Sequence, residues 1–423
     1  MVDIRAFHGV RFDAAKTGPL EAVLTPPYDV IDGEERERLA AMSPYNMSHL
    51  ILPKADEKQS AYEKAATLVK QWMAEGVLCH DDEPYIYLLR QHFTGLDGVP
   101  LVRKAFFALM KLPESGEHYI LGHERTFDKP VADRLALLQH VQANVEPIFV
   151  MYSDAEKRVT TQLFQSMDAV PPLLSARTSD QVKQELWRVP CPDYLKPHFQ
   201  HQILYIADGH HRFKTACAWR DCCRERDGEQ QALQAYDYVM AGFVSFEDPG
   251  LKIYAAHRVL PASCNVNVEH FMDTLQEYFV CTQVQHCAVE TVLKEKESQD
   301  ACVFVLYTRK HGVWQLRLKE EKRKILTGDN RSEAWQALDV AVLHRGILGQ
   351  LLAIPDSMEL MYEKDVSRAV ALVEGGDAAL AFLLRPTRSE QVRDCAEAFE
   401  PMPQKSTYFF PKLPSGTVMY SFS

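Results

Sequence analysis

The stretch Ile206-Ala207-Asp208-Gly209-His210-His211-Arg212-Phe213 lies between an apolar run, Ile203 to Ala207, and a helical pattern. An apolar strand that ends in Asp-Gly and turns directly into a His-His-Arg helix start has the make-up of an anion site. Free backbone N–H groups and the positive end of the helix dipole gather there, and Arg212 adds a planar, permanently charged fork. Neighbouring histidines diverge by about 100° on a helix, so His210 and His211 do not share one metal as an i, i+4 pair would. Their ring N–H groups can instead surround a phosphate, with Gly209 permitting close backbone approach. Asp208 is expected either to cap the helix or to meet a divalent cation that accompanies a nucleotide. The plainer reading keeps Asp208 as an N-cap only and the histidines on local carbonyls.

Composition narrows the partners. With 423 residues, 46% apolar and 25% charged, the chain reads as two or three globular domains with a sizeable core. Lysine plus arginine number 47 against 58 acidic residues, a net charge of -11. That balance disfavours nucleic acid and anionic membranes and favours a small-molecule partner. Ten cysteines are scattered without a Cys-x-x-Cys pair, and no secretory signal is read before them. Reduced core thiols in a cytoplasmic protein are therefore expected, with no zinc site. No run approaches the roughly 18 apolar residues of a membrane span.

Along the chain the pattern is α+β. Prolines at Thr25-Pro26-Pro27-Tyr28-Asp29-Val30 and Ser43-Pro44-Tyr45-Asn46 exclude helix interiors. Helices are predicted at 34–42, 61–75, 131–143 and 158–169, and strands at 85–93, 102–110, 147–152 and 238–246. From about Asn265 a second unit is predicted: helix 270–279, a hairpin of 302–307 with 313–318, one long helix 334–352, strand 359–362, helix 366–373, strand 379–384 and helix 389–399. The expected division is 1–262 and 263–423.

Two further constellations carry candidate chemistry. Gly122-His123-Glu124-Arg125-Thr126, followed by Asp133-Arg134, offers a carboxylate flanked by His and Arg, suited to a general base or a metal ligand, or equally to a surface ion-pair cluster. Near the C-terminus, Met402-Pro403-Gln404-Lys405-Ser406-Thr407-Tyr408-Phe409-Phe410-Pro411-Lys412 places a lysine and two hydroxyls before an apolar strand. The glycines of a Walker loop are absent, so a different phosphate-binding scaffold or an ordinary loop remains.

These segments, with Phe7-His8-Gly9-Val10-Arg11, Glu247-Asp248-Pro249-Gly250 and Pro386-Thr387-Arg388, resemble over essentially the whole chain the bacterial and archaeal family called domain of unknown function 1015. The central Asp-Gly-His-His-Arg segment is in turn similar to the ParB/sulfiredoxin-like superfamily and its free serine kinases. The resemblance implies an α+β fold with a ParB/sulfiredoxin-like nucleotide-binding core and an additional α+β C-terminal unit. It implies a phosphotransferase acting from ATP or ADP, with Mg²⁺, on a small hydroxyl compound such as free serine. The expected phosphate and nucleotide contacts are Gly209, His210, His211, Arg212, Arg125, Lys405, Ser406 and Thr407, with Asp208 or Glu124 catalytic and no resident metal. The Glu-Asn-x-x-Arg helix of ParB-type proteins is not found here. The alternative is a nucleotide-binding switch that regulates a protein partner without turnover, and a metal-dependent hydrolase is the third reading.

Overall fold

Two runs rich in β-branched and aromatic residues, Ile86–Thr94 and Pro100–Lys111, pair antiparallel through the tight Gly95-to-Val99 turn. They form the centre of a nine-stranded sheet in a computed structural model that describes residues 1–228, 230–294, 301–355 and 358–422. From one edge the order is Ile120–Leu121, Leu204–Asp208, Ile148–Tyr152, Tyr238–Ser245, Pro100–Lys111, Ile86–Thr94, Lys183–Val189 and Leu174–Arg177, with Ile4–Arg5 added beside Pro100–Lys111. The chain is mixed α+β and divides into two compact units. The first comprises Met1–Gly122, Thr126–Lys252 and Pro411–Ser423, and the second His123–Arg125 and Ile253–Phe410.

Strand periodicity gives the nine-stranded sheet two different faces. On one, Leu88, Phe106, Val150, Ile206 and Phe243 make an apolar core, with Phe106 and Phe243 stacked at 4.8 Å. The helix His210–Asp227 lays Phe213, Ala216 and Cys217 against it. The opposite face carries a buried polar row, Gln184, Gln91 and Arg103, which stand directly across from one another on three adjacent strands. Over this face runs the segment Pro411–Ser423, reached only after the whole second unit. Its Ser415 exchanges backbone hydrogen bonds with Thr25. Met419–Ser421 then joins Gly9–Phe12, Leu78–His80 and Ala143–Asn144 in a four-stranded sheet.

In the second unit, six antiparallel strands lie in the order Phe279–Val284, Val313–Leu318, Val303–Thr308, Ala378–Leu384, His257–Pro261 and Met361–Glu363. The helix Val366–Gly375 packs Ala369 and Val373 onto Val259, Val303 and Ala381.

The single helix expected over 334–352 is broken. Glu333–Gln336 and Asp339–Ala341 flank Leu338, whose extended backbone buries its side chain and leaves Asp339 to receive Arg385 at 2.8 Å. The remainder, Val342–Leu351, winds as a π-helix. The helix expected over 158–169 ends at Phe164, and a 3₁₀ turn, Met167–Ala169, follows. The hairpin Leu174–Arg177 with Lys183–Val189 was hidden because Lys183, Gln184, Glu185 and Arg188 interrupt its apolar alternation. Among the described residues, no helix is long and apolar enough to cross a membrane.

Gly242 faces the C-terminal segment so closely that a Cβ there would come within 2.4 Å of Leu413 Cδ1 and 2.9 Å of the Phe107 ring. Gly242→Ala is expected to destabilise the first unit by about 1–3 kcal/mol, the usual scale of overpacking. The check is a lower urea midpoint at unchanged m-value; an unmoved midpoint contradicts this packing.

Candidate functional site

The end of the Leu204–Asp208 strand is shaped by one extra residue. Tyr205 stands opposite Met151 and Ile206 opposite Val150, after which Asp208, not Ala207, meets Phe149. A bulge of this kind shifts every later side chain to the other face. Asp208 thereby leaves the face of Ile206, which is apolar core, for the face of the polar row and the C-terminal segment. Gly209 follows at φ +88°, a left-handed conformation that favours glycine, and the helix His210–Asp227 begins.

Asp208 does not take the N-cap role expected of it. The N-cap residue is Gly209, with no side-chain cap bond, because the bulge points the Asp208 carboxylate elsewhere. Its Oδ1 accepts from Lys412 Nζ at 2.7 Å and its Oδ2 from Arg212 Nη2 at 2.9 Å. Arg212 also donates through Nη1 to the Pro147 carbonyl, and it lies 4.0 Å from Asp29. Its guanidinium folds back over Gly209, where a Cβ would come within 3.1 Å of Cζ. Burial opposes the Arg212 charge, yet Glu146, Asp29 and Asp208 outweigh it and hold the pKa above the ordinary arginine value.

The two histidines part company. His210 is buried with its ring against Gly122, where a Cβ would stand 3.0 Å from Cδ2. His211 is half-buried, its ring stacked beside Phe127 and its Nε2 accepting from the Phe127 N–H at 3.1 Å. That bond places the proton of the neutral ring on Nδ1.

A group of charges that the site residues read from sequence did not include completes this constellation. Pro26 and Pro27 restrict the loop before a 3₁₀ turn, Tyr28–Val30, which presents Asp29. Glu146 Oε1 accepts from the Tyr28 N–H at 2.9 Å and from Ser415 Oγ at 3.0 Å. The Arg134 guanidinium lies 4.2 Å over the Tyr28 ring, while Arg134 also pairs with Asp133. Desolvation, and then the nearby Asp208 carboxylate, raise the Asp29 pKa from the ordinary 3.8 to about 6, against the pull of Arg212 and Lys412. Burial, reinforced by Asp29, pushes the Tyr28 phenol up to about 12. Paired prolines before Tyr-Asp were the available signal for Asp29, whereas Lys412, seven residues beyond Lys405, had none apart from its charge.

The other sequence candidates gather in the second unit. His123 Nε2 lies 3.1 Å from Thr407 Oγ1, and the His123 carbonyl accepts from the Met402 N–H at 2.8 Å, which brings Glu124 and Arg125 to the 402–407 loop. Lys405 is exposed at φ +54°. The Ser406 hydroxyl is buried and donates to the Pro403 carbonyl at 2.5 Å, while its own carbonyl accepts from Thr387 Oγ1 at 2.8 Å. Arg258, fully buried, donates to the Gln404 carbonyl at 3.1 Å.

A search of curated protein sequences returned no match. Among solved structures, the chain is similar to a free serine kinase in complex with AMP, at 11% identity over 72% of this chain and 86% of that one, with a TM-score of 0.36. It is similar to a conserved hypothetical protein from Pyrococcus furiosus, at 14% identity over 73% and 93%, with a TM-score of 0.35. It is also similar to SbnI with a C-terminal truncation from Staphylococcus aureus, at 10% identity over 73% and 85%, with a TM-score of 0.37. No residue role is carried across at such similarity. The model of a family described as protein of unknown function, DUF1015, matches residues 4–341, and the chain belongs to that family.

Proposed function

We propose that the first unit, on a ParB/sulfiredoxin-like core, binds ATP or ADP at the Asp208–Arg212 turn and transfers a phosphoryl group to a small hydroxyl compound, of which free serine is an example. The observation that carries this reading is a pair of carboxylates with unequal surroundings beside a helix start. Asp208 is clamped by Lys412 and Arg212, whereas among the described residues the ion-pair contact of Asp29 is the 4.0 Å one with Arg212, and its pKa is raised to about 6. Two such carboxylates divide their tasks by environment. The opening N–H groups of the 18-residue helix, which lack intrahelical acceptors, suit phosphate oxygens. His211 adds a ring N–H, and Lys412 and Arg212 supply positive charge.

In this reading the acceptor O–H approaches Asp29, in the unit that holds the phosphate turn, rather than Glu124. The acceptor oxygen bonds to the terminal phosphorus of the nucleotide, the bridging P–O bond breaks toward the shortened nucleotide, and the hydroxyl proton passes to Asp29. Positioning and charge neutralisation provide most of the catalysis in such transfers. Among the described residues no three His, Cys, Asp or Glu side chains gather around a common point as a metal cage. With Asp208 engaged by two cations, the residues present do not fit a resident magnesium, and no step is routed through one.

The test is phosphorus NMR on the protein with ATP or ADP, Mg²⁺ and a panel of hydroxylated amino acids. A phosphorylated acceptor supports the reading, and its absence with every acceptor ends it, even where nucleotide binds. Asp29→Asn is expected to lower kcat by roughly 10²- to 10⁴-fold, the range for loss of a general base.

The pH dependence follows from the sign of the Asp29 shift. A raised carboxyl pKa keeps the proton on longer, so wild-type transfer is expected to rise as pH increases through about 6 and then level. The same shift means that the folded protein takes up a proton between the ordinary 3.8 and about 6, so the Asp29 contribution to stability falls as pH rises through that window. A rate that stays flat from pH 5 to 7 removes Asp29 as the base.

Nucleotide at about a hundred times its Kd is expected to stabilise the first unit by roughly 2.7 kcal/mol. His211→Ala is expected to reduce the accompanying rise in Tm at fixed nucleotide concentration. An unchanged rise removes His211 from the phosphate site.

A further inference from the structure

The first unit contains a buried cation that the proposed reaction does not use. Arg103 is fully buried in the middle of its strand, and among the described residues no carboxylate lies within ion-pair distance of it. Its Nε and Nη2 both donate to Gln91 Oε1, its guanidinium lies 4.8 Å over the Phe149 ring, and its Nη1 has no hydrogen-bond partner. Such burial is costly unless the charge serves a purpose that a methionine of similar length does not.

Gln91 shows where that charge is directed. It too is fully buried, and with its oxygen held by Arg103 its Nε2 donates to Gln184 Oε1 and to the Lys412 carbonyl, both at 3.0 Å. The Lys412 side chain meanwhile reaches Asp208 at 2.7 Å. Drawing electron density toward the amide oxygen strengthens the amide's N–H donors, so Arg103 reinforces the grip on the Lys412 backbone. The grip matters because Lys412 stands on a segment outside the nine-stranded sheet, and an ammonium on a four-carbon stem is placed only as well as its Cα is.

We propose that Arg103 and Gln91 are positioning residues, which hold the C-terminal segment against the sheet so that Lys412 stays on Asp208. The inference deepens the proposed function and rests on it for its kinetic arm alone.

Gln91→Glu provides the test, because the new carboxylate pairs with Arg103 while both amide donors disappear. Hydrogen exchange is followed in full-length protein, in peptides covering residues 411–420 and 148–152. Exchange of the first is expected to quicken about fivefold or more, the loss of one net hydrogen bond, with the second unchanged. Lys412→Met is expected to slow phosphoryl transfer about a hundredfold or more, and Gln91→Glu about tenfold to a hundredfold. Together they are expected to be no slower than Lys412→Met alone, since a positioning residue has nothing left to position.

Unchanged exchange at 411–420 overturns the proposal, and so does a double variant whose losses multiply. If Gln91→Glu does not fold, the pair Gln91→Met with Arg103→Met removes both partners at similar volume and carries the same expectations. If the wild-type protein transfers no phosphate, the proposed function fails, and the exchange measurement still decides whether the anchor exists.

Discussion

The first unit depends on the attachment of one carboxylate. Asp208 closes a strand, begins the turn into a helix and is held from two directions, by Arg212 one helical turn ahead and by Lys412 from the far end of the chain. Both oxygens of this half-buried carboxylate are taken up by cationic donors, so its desolvation is met by charge-assisted hydrogen bonds. Each partner brings a further segment with it. Arg212 reaches the Pro147 carbonyl and approaches Asp29, and the carbonyl of Lys412 is fastened to Gln91. The 25–30 loop, the approach to the Ile148–Tyr152 strand, the helix and the C-terminal segment are thus joined through one charge network.

That network explains why the chain passes through the second unit before it completes the first. Pro411–Ser423 supplies the cation for Asp208, the hydroxyl of Ser415 for Glu146, and a strand for the four-stranded sheet. A first unit that ended at Lys252 would take Lys412 from Asp208, and leave Gln91 with an unused donor and the Gly9–Phe12 strand with an open edge. Each loss exposes or orphans a polar group in a buried setting, the class of change that costs most.

Much of this was legible in the sequence, for identifiable reasons. Apolar runs bounded by turn residues marked the central strands at 86–94, 100–111, 148–152 and 238–245, and the Asp-Gly-His-His-Arg turn marked the strand-to-helix junction. What escaped depends on single-residue geometry or on distance along the chain. Nothing in Ile-Ala-Asp-Gly announces a bulge at Ala207, yet that extra residue decides whether Asp208 points into the core or toward Lys412. The hairpin at 174–189 escaped because its inward side chains include Gln184, a core residue only by virtue of Gln91 and Thr178. Lys412 and Asp208 are 204 positions apart, and local periodicity contains no information about such a pair.

The contrast between the two carboxylates is a consequence of the same arrangement. Lys412 and Arg212 each present hydrogen-bond donors to Asp208, so the positive charge of the site is concentrated on one acid. Asp29 is then raised chiefly by its own desolvation and next by the negative Asp208 nearby, to a pKa of about 6. With Asp208 holding both sets of donors, Asp29 is the acid left matched to near-neutral pH as a base. The location of one ammonium therefore determines which acid is clamped by donors and which is left to gain and lose a proton. In the proposed arrangement that location depends on the Lys412 carbonyl, gripped by the buried Gln91 amide four strands along the sheet from Asp208.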